Sequence, residues 1–142
     1  MHTLLEGYKG IIRLPVQWGD MDIGHHVNNV VYLRYLESGR VAYLEALGFR
    51  DMASFNGLGP ILAEITVQYK APVTFPDSLL VGTKVIAIDE YSFTMETLIV
   101  SEALDRVATK AIARIVTYDY RTKTKAPHPA SLTEKVKEIE NW

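Results

Sequence analysis

One long helical pattern, set among segments rich in β-forming residues, constrains the fold of this 142-residue chain more than any other feature. Between Asn29 and Leu47, large apolar residues and a glycine recur at spacings of three and four, which predicts a helix with one buried stripe. Further leucines widen the stripe, so the helix is expected to be largely enclosed, and Gly48 is expected to end it. The stripe positions are Tyr32, Leu33, Leu36, Gly39, Tyr43, Leu44, Ala46 and Leu47.

In most of the rest of the chain, apolar and polar residues alternate as they do in β-strands. Residues 11–18 predict a strand with Ile12, Leu14, Val16 and Trp18 on one face, and with Pro15 at an edge or facing outward. A loop is expected over residues 49–60. A strand with Ile61, Ala63, Ile65, Val67 and Tyr69 on one face follows, and then three long β-rich segments at 78–89, 91–102 and 106–120.

Only short polar turns separate those last three segments, and short turns connect antiparallel neighbours. A final short helix is expected to begin at Ser131, where Ser131 and Glu134 have the spacing of a capping box. The order of elements predicts an α+β fold: one domain, residues 1–142, in which a curved antiparallel sheet of about five strands wraps around one long helix. Much of such a sheet stays uncovered, and a homo-oligomer would cover it.

The composition excludes several classes of function. The chain contains no cysteine, which removes disulfides, thiolate metal sites and cysteine nucleophiles. Its net charge is -2, and the sequence has no cluster of basic residues, so nucleic acid is not an expected partner. The amino-terminal residues do not have the pattern of a signal peptide, and no stretch is apolar enough to span a membrane, so a cytoplasmic protein without membrane contact is expected.

Polar chemistry is concentrated just before the long helix, in the stretch WGDMDIGHHVNN. A carboxylate there could act as a general base or nucleophile, and the free amides of a helix N-terminus could stabilise an oxyanion. Aspartates between a strand and a helix are more often simple turn residues, and an asparagine there is a preferred N-cap. The crowding of carboxylates and imidazoles on one short loop does not predict a metal site.

The extended stretch WGDMDIGHHVNNVVYLRYLESGR resembles the signature of the hotdog-fold thioesterases, the 4-hydroxybenzoyl-CoA thioesterase-like family. The later stretch AEITVQYKAPVTFPDSLLV is similar to the second strand of that family and the segment after it. The chain departs from the family pattern at His25, where the family has a glycine that permits a left-handed turn, and its own glycine lies one place earlier, at Gly24. The matching positions of the signature are Asp20, Asp22, His26, Val27, Asn28, Asn29, Tyr32, Tyr35, Glu37 and Arg40.

The resemblance implies hydrolysis of acyl-CoA thioesters to a free acid and CoA, without a metal or cofactor. It places the catalytic carboxylate at Asp22, and it leaves Asp20 to fix the loop. Two alternatives stay open, namely an acyl-ACP thioesterase and a non-catalytic acyl-thioester binding protein. His26, Asn28, Asn29 and Val30 are the expected supporting or substrate-binding residues, and Glu37 and Glu64 are the reserve carboxylates.

The resemblance also implies a homodimer or homotetramer with the active site at the dimer interface. Acyl groups are expected to lie along the helix, the neighbouring subunit and the 49–60 loop. The cations available for CoA phosphates, among which the sequence does not choose, are Lys70, Lys84, Arg106, Lys110 and Arg114.

Overall fold

A computed structural model of the chain describes residues 2–50 and 55–142. The main elements follow in chain order: β1 (Gly10–Pro15), α1 (Asn29–Ala46), β2 (Leu58–Tyr69), β3 (Ser78–Ile88), β4 (Ser92–Ser101), β5 (Arg106–Asp119), β6 (Thr124–Lys125) and α2 (Ala130–Glu140).

The five long strands form one curved sheet in the order β1-β3-β4-β5-β2, with every pairing antiparallel, and the two-residue β6 pairs with the end of β5. The long helix α1 packs on the inner face of the sheet, against β1, β3 and β4. The close approach depends on Gly39, because a Cβ at that position would lie 2.7 Å from Cγ1 of Val81. The predicted fold class, a hotdog arrangement of one helix in a curved antiparallel sheet, is confirmed.

Apolar side chains between α1 and the inner face form the core. One cluster surrounds Tyr32, Tyr35 and Leu36, and a second surrounds Tyr43 and continues to Leu132 and Val136 of α2. The outer face is covered in part by the chain before β1. There Leu5 and Tyr8 pack with Val100, so this face is less open than the sequence suggested.

Pro15 lies on edge strand β1 and is exposed, as predicted. The strand ends there, however, and Trp18 does not continue its buried face, because the backbone turns into a 3₁₀ helix over Trp18–Asp20. The Asp20 carboxylate closes this turn by accepting a hydrogen bond from the Gln17 amide at 2.9 Å. The side chain of Trp18 is consequently 74% exposed.

The helix α1 is less enclosed than predicted. Tyr32, Leu36, Gly39 and Tyr43 form the buried stripe, but Leu33 and Ala46 are exposed. The apolar spacing therefore overestimates how much of α1 one chain buries. The Gly48 prediction is confirmed, since that residue has a φ of 102° just after the helix.

The alternation predicted for residues 61–69 is interrupted by a bulge between Leu62 and Glu64. Leu62 lies opposite Ile115, whereas Ile61 lies opposite Val116, on the other face of the sheet. The extra residue shifts the phase, and Ile61 therefore does not share a face with Ile65. The strand also begins earlier than expected, at Leu58, while residues 51–54 of the predicted 49–60 loop lie outside the described residues.

The final helix begins at Ala130 with Pro129 as its N-cap, and no side chain caps it. The capping box predicted for Ser131 and Glu134 is therefore wrong, since Ser131 already lies inside the helix. The fixed φ of proline suits a helix start without a side-chain cap. At the other end of α2, Glu140 accepts hydrogen bonds from the Tyr43 hydroxyl and, at 3.0 Å, from the Val85 amide.

Candidate active site

A short, tightly bonded loop joins β1 to α1. Met21 and Val27 form an antiparallel bridge. Between these two residues, the Asp22 amide donates to the His26 carbonyl and the His25 amide donates to the Asp22 carbonyl, both at 3.0 Å. The loop is attached to the rest of the fold through the Val27 amide, which donates to the Val73 carbonyl at 2.9 Å. These bonds give the polar stretch a defined shape.

His25 adopts the left-handed backbone conformation of this loop, with a φ of 60°. A left-handed turn of the kind that the family's glycine permits is thus present, and a non-glycine residue makes it. Such a conformation is unfavourable for an L-residue with a Cβ. The hydrogen bonds on both sides of His25 hold it in place.

Asp20 anchors the start of the loop, as predicted. Its buried carboxylate accepts hydrogen bonds from the Gln17 amide at 2.9 Å, the Tyr35 hydroxyl at 2.6 Å and the Arg34 guanidinium at 3.0 Å. Burial by itself would raise the pKa of Asp20, but the bonds from Tyr35 and Gln17 and the charge of Arg34 outweigh it, so the pKa is lowered. Asp20 is thus an ionised structural group.

Asp22 differs from Asp20 in its surroundings. Its side chain is exposed, and one carboxylate oxygen, Oδ1, accepts a hydrogen bond from the Gly24 amide at 2.9 Å. This two-residue turn orients the carboxylate within its own loop. The structure therefore places an exposed, oriented carboxylate seven residues before the first residue of α1.

The start of α1 leaves one backbone amide available. The Asn28 side chain caps the helix by accepting from the Val30 amide at 2.9 Å, which confirms the prediction that one of the two asparagines is the cap. The Asn28 carbonyl accepts from the amides of Val31 and Tyr32 at 3.0 and 3.2 Å. Within residues 2–50 and 55–142, the Asn29 amide makes no hydrogen bond.

Tyr69 is a site residue that the sequence reasoning missed. Its hydroxyl donates to Oδ1 of Asn29, and its ring meets that of Tyr32 edge to face at 5.3 Å. The strand alternation did place Tyr69 on the face of Ile65 and Val67. It could not show that the end of β2 reaches the start of α1.

A cleft of about 320 Å³ lies beside the start of α1. We call it the loop cleft. His26, exposed on the loop, is one wall, and Lys70 is the one of the five candidate cations that lines it. Lys84 and Lys110 instead pair with Glu96, at 3.6 and 3.3 Å. The residues lining the loop cleft are His26, Val27, Tyr32, Tyr69, Lys70, Ala71 and Pro72.

The two reserve carboxylates lie elsewhere. Glu37 is an exposed residue of α1, two turns from Asn29. Glu64 lies opposite Arg114 on β5. Because strand neighbours alternate between faces, Glu64 is on the outer face, opposite to the one that carries Ile65. The structure therefore does not bring Glu64 together with Asp22 within one chain.

An apolar groove runs between the second half of α1 and the first half of β2. Its wider part has a volume of about 390 Å³, and a narrower part of about 150 Å³ continues from it. The two parts share Val41, Leu44 and Pro60. The wider part is also lined by Glu45, Phe49, Arg50 and Gly59, and the narrower part by Glu37, Arg40, Leu62 and Ile115.

In the part of the chain that the structure describes, no three His, Asp or Glu side chains come together as ligands for a metal ion. Across the same residues, no helix is both long and apolar enough to cross a membrane.

Comparison with known proteins places these features in a family. The profile described as the Thioesterase-like superfamily matches residues 16–136. The long-chain acyl-CoA thioesterase FadM of Escherichia coli is 23% identical over 127 residues, which are 89% of this chain and 96% of that protein. An acyl-acyl carrier protein thioesterase of Arabidopsis thaliana, ATL3, is 29% identical over 87 residues, covering 57% of this chain and 46% of that one.

Among solved structures, a thioesterase from Thermus thermophilus crystallised with coenzyme A and Zn superimposes with a TM-score of 0.85. It is 26% identical in sequence, and the match covers 96% of this chain and 98% of that one.

Proposed function

The chain belongs to the thioesterase-like superfamily, and from that premise we propose that it hydrolyses acyl-CoA thioesters to a free carboxylic acid and CoA. The observation that carries the proposal is the position of Asp22. This exposed carboxylate is oriented by its own turn, and it lies on the loop that leads into α1 and borders a cleft. The similarity to FadM and to a thioesterase crystallised with coenzyme A supports the class of substrate.

Asp22 acts either as a general base that takes a proton from water or as the nucleophile that attacks the thioester carbonyl. If Asp22 acts as the base, the attacking water forms the new C–O bond. If it acts as the nucleophile, a mixed anhydride forms first and water then hydrolyses it. In both cases the C–S bond breaks, CoA leaves as its thiol and the acyl group leaves as the acid.

The start of α1 stabilises the negative charge that develops on the carbonyl oxygen. Its free amide, that of Asn29, donates to this oxygen, and the helix dipole favours negative charge at the same place. Val30 contributes through the cap that Asn28 makes with its amide. His26 and Asn29 border the bound thioester from the loop and from the helix, and Lys70 is placed to contact a CoA phosphate from the loop cleft.

The test is thiol release from a panel of acyl-CoAs that differ in chain length and in aromatic character. Wild-type protein should release CoA thiol from at least one of them. Asp22→Asn should lower the rate by about 10²–10⁴-fold, the usual contribution of a positioned acid or base, while its thermal unfolding stays unchanged. Glu64→Gln is the matched control and should retain activity, because Glu64 lies on the outer face of the sheet.

The reserve carboxylate Glu37 gives the test a clear alternative outcome. If Asp22→Asn keeps full activity and Glu37→Gln abolishes it, the carboxylate that acts is on α1. Binding of acyl-CoA without turnover across the whole panel would instead identify a binding protein.

The similarity to a plant acyl-acyl carrier protein thioesterase favours one second candidate, in which the same chemistry acts on acyl groups carried by ACP. Rates on matched acyl-CoA and acyl-ACP substrates separate the two. A higher kcat/KM for acyl-ACP at the same chain length would assign the carrier protein.

A further inference from the structure

The end of β2 is fixed to the sheet at the point where it carries Tyr69. Tyr69 lies opposite Thr109 of β5, and the backbone amides of the two residues after Tyr69 both donate to the Ala108 carbonyl, at 2.8 and 3.1 Å. These two bonds to one carbonyl hold the end of the strand against β5. The backbone that carries the Tyr69 ring is therefore held in place up to the wall of the loop cleft.

The ring of Tyr69 is supported as well. It meets the ring of Tyr32 edge to face at 5.3 Å, a favourable arrangement of two aromatic rings, and Tyr32 is only 5% exposed. The Tyr32 hydroxyl accepts a hydrogen bond from the Val73 amide at 3.0 Å, and the Val73 carbonyl accepts from the Val27 amide at 2.9 Å. Tyr69 thus packs on a buried ring that is itself bonded to the segment beside the carboxylate loop, and this packing gives its hydroxyl a defined direction.

The Tyr69 hydroxyl is directed at the first residue of α1, where it donates to Oδ1 of Asn29. Neither side chain is buried, because Asn29 is exposed and Tyr69 is 51% exposed. A hydrogen bond between two exposed polar groups contributes little net stability, since water satisfies both partners when the bond is broken. The main effect of this bond is to orient the side chain of Asn29.

The side chain of Asn29 carries one acceptor end and one donor end, and Tyr69 engages the acceptor end. In the part of the chain that the structure describes, Nδ2 of Asn29 makes no hydrogen bond, so both of its N–H groups are available to a ligand. The same residue carries the backbone amide that is available at the start of α1. Asn29 therefore offers two donor groups, one from the backbone and one from the side chain.

The orientation of this carboxamide determines the sign of its effect on a thioester. If the carboxamide turned over, Oδ1 would take the place of Nδ2, and the negative charge that develops on the thioester oxygen would be repelled by it. Nδ2 in that place donates to the charge and stabilises it. The terminal torsion of an asparagine is broad and roughly two-fold, so an exposed asparagine without a partner samples both orientations. The Tyr69 hydroxyl, by donating to Oδ1, favours the orientation in which Nδ2 is the free end.

We propose that Tyr69 is a positioning residue for thioester hydrolysis: its hydroxyl holds Oδ1 of Asn29 toward β2, so that Nδ2 of Asn29 joins the backbone amide of the same residue as a second donor to the oxyanion. This role rests on the proposed function. The carbonyl oxygen gains its full charge only as the reaction proceeds, so the second donor acts more strongly in the transition state than on the bound substrate. The effect of Tyr69 is therefore expected on kcat rather than on KM.

The test is a double-mutant cycle, measured as thiol release from an acyl-CoA that the wild type cleaves. Tyr69→Phe keeps the ring against Tyr32 and removes only the hydroxyl. It should lower kcat about tenfold, less than the usual loss of a whole oxyanion donor, and leave KM nearly unchanged. In an Asn29→Ala background the same substitution should have no further effect, because Tyr69 acts through Asn29.

Two further variants separate this role from a structural one. Tyr120→Phe is the matched control: its hydroxyl donates to the Pro60 carbonyl at 3.1 Å, near the other end of β2, so kcat should stay that of the wild type. Asn29→Asp keeps an acceptor for Tyr69 and replaces the donor Nδ2 by an oxygen. It should lower kcat at least as much as Asn29→Ala, although a negative charge at the start of a helix keeps or raises stability in thermal unfolding.

A readout without substrate comes from NMR relaxation of the Asn29 side-chain amide, which should be ordered in the wild type and mobile in Tyr69→Phe. An unchanged kcat in Tyr69→Phe, an equal loss in both backgrounds, a loss confined to KM, or an equally ordered Asn29 amide in both proteins would overturn the positioning role and leave the hydrolase assignment intact. If the wild type cleaves no acyl-CoA of the panel, the proposed function fails and the role of Tyr69 in catalysis fails with it.

Discussion

The Tyr35 hydroxyl donates a hydrogen bond of 2.6 Å to the carboxylate of Asp20, and both groups are buried. This contact ties the middle of α1 to the beginning of the loop that carries Asp22. The backbone is held again two residues after the exposed Asp22, because Gly24 donates to the carboxylate of Asp22 itself. A buried anchor therefore supports a loop that carries an exposed carboxylate, and the two aspartates lie in different surroundings.

Removing the Tyr35 hydroxyl should destabilise the protein through this anchor. Tyr35→Phe leaves the ring in place and removes one hydrogen bond to a buried charge, so we expect a loss of about 1.5–3 kcal/mol in the free energy of unfolding. Urea unfolding followed by circular dichroism measures it. Tyr91→Phe is the matched control, because the ring of Tyr91 is 43% exposed, and it should change stability little. Equal stability of the two variants would contradict the anchoring role.

The lowered pKa of Asp20 predicts a dependence of stability on pH. In the unfolded chain this carboxyl has a pKa of about 3.9, and in the folded protein its pKa is lower. Its contribution is therefore complete above the unfolded pKa and is lost as the pH falls through the folded pKa. The difference in unfolding free energy between wild type and Asp20→Asn should be largest near neutral pH and should shrink below about pH 4. A difference that stays constant across this range would contradict the assignment.

The sequence predicted the fold class and the loop because both depend on local patterns. The three-and-four spacing from Tyr32 to Tyr43 and the short turns between strands determine the order of elements, and the polar stretch before Asn29 marks the loop. The loop-fixing role of Asp20 and a helix cap from one of the two asparagines were predicted correctly, and the catalytic role of Asp22 stays a prediction.

Other features depend on contacts that a pattern along the chain does not contain. A bulge after Leu62 changes which side chains face inward, and no turn residue in the sequence indicates its position. The contact between Tyr69 and Asn29 joins residues forty positions apart. The burial of Arg40 is visible only after α1 has been placed on the sheet, because a helical arginine is ordinarily expected to reach solvent.

His25 gives a test of the loop's backbone. A left-handed residue with a Cβ is unfavourable by about 1–2 kcal/mol, and a β-branched side chain makes that conformation less favourable still. His25→Val should therefore destabilise the protein, whereas His25→Gly should be nearly neutral, because relief of strain offsets the greater freedom of glycine in the unfolded chain. Thermal unfolding compares the two variants. If His25→Val is as stable as wild type, the left-handed turn is not required.

Asn28 gives a test of the helix start. Its side chain accepts from the Val30 amide, so Asn28→Ala should lower the free energy of unfolding by about 0.5–2 kcal/mol, the usual effect of losing an N-cap. Asn28→Asp is the matched control: it keeps an acceptor at the cap and places a negative charge at the positive end of the helix, so it should keep or raise stability.

The charge of Asn28→Asp also lies beside the Asn29 amide, where the oxyanion is proposed to form, and should lower the rate of thiol release without unfolding the protein. Stability and turnover measured on the same two variants thus separate the capping role of Asn28 from the proposed catalytic role of the helix N-terminus. Full activity in Asn28→Asp would argue against an oxyanion at this position.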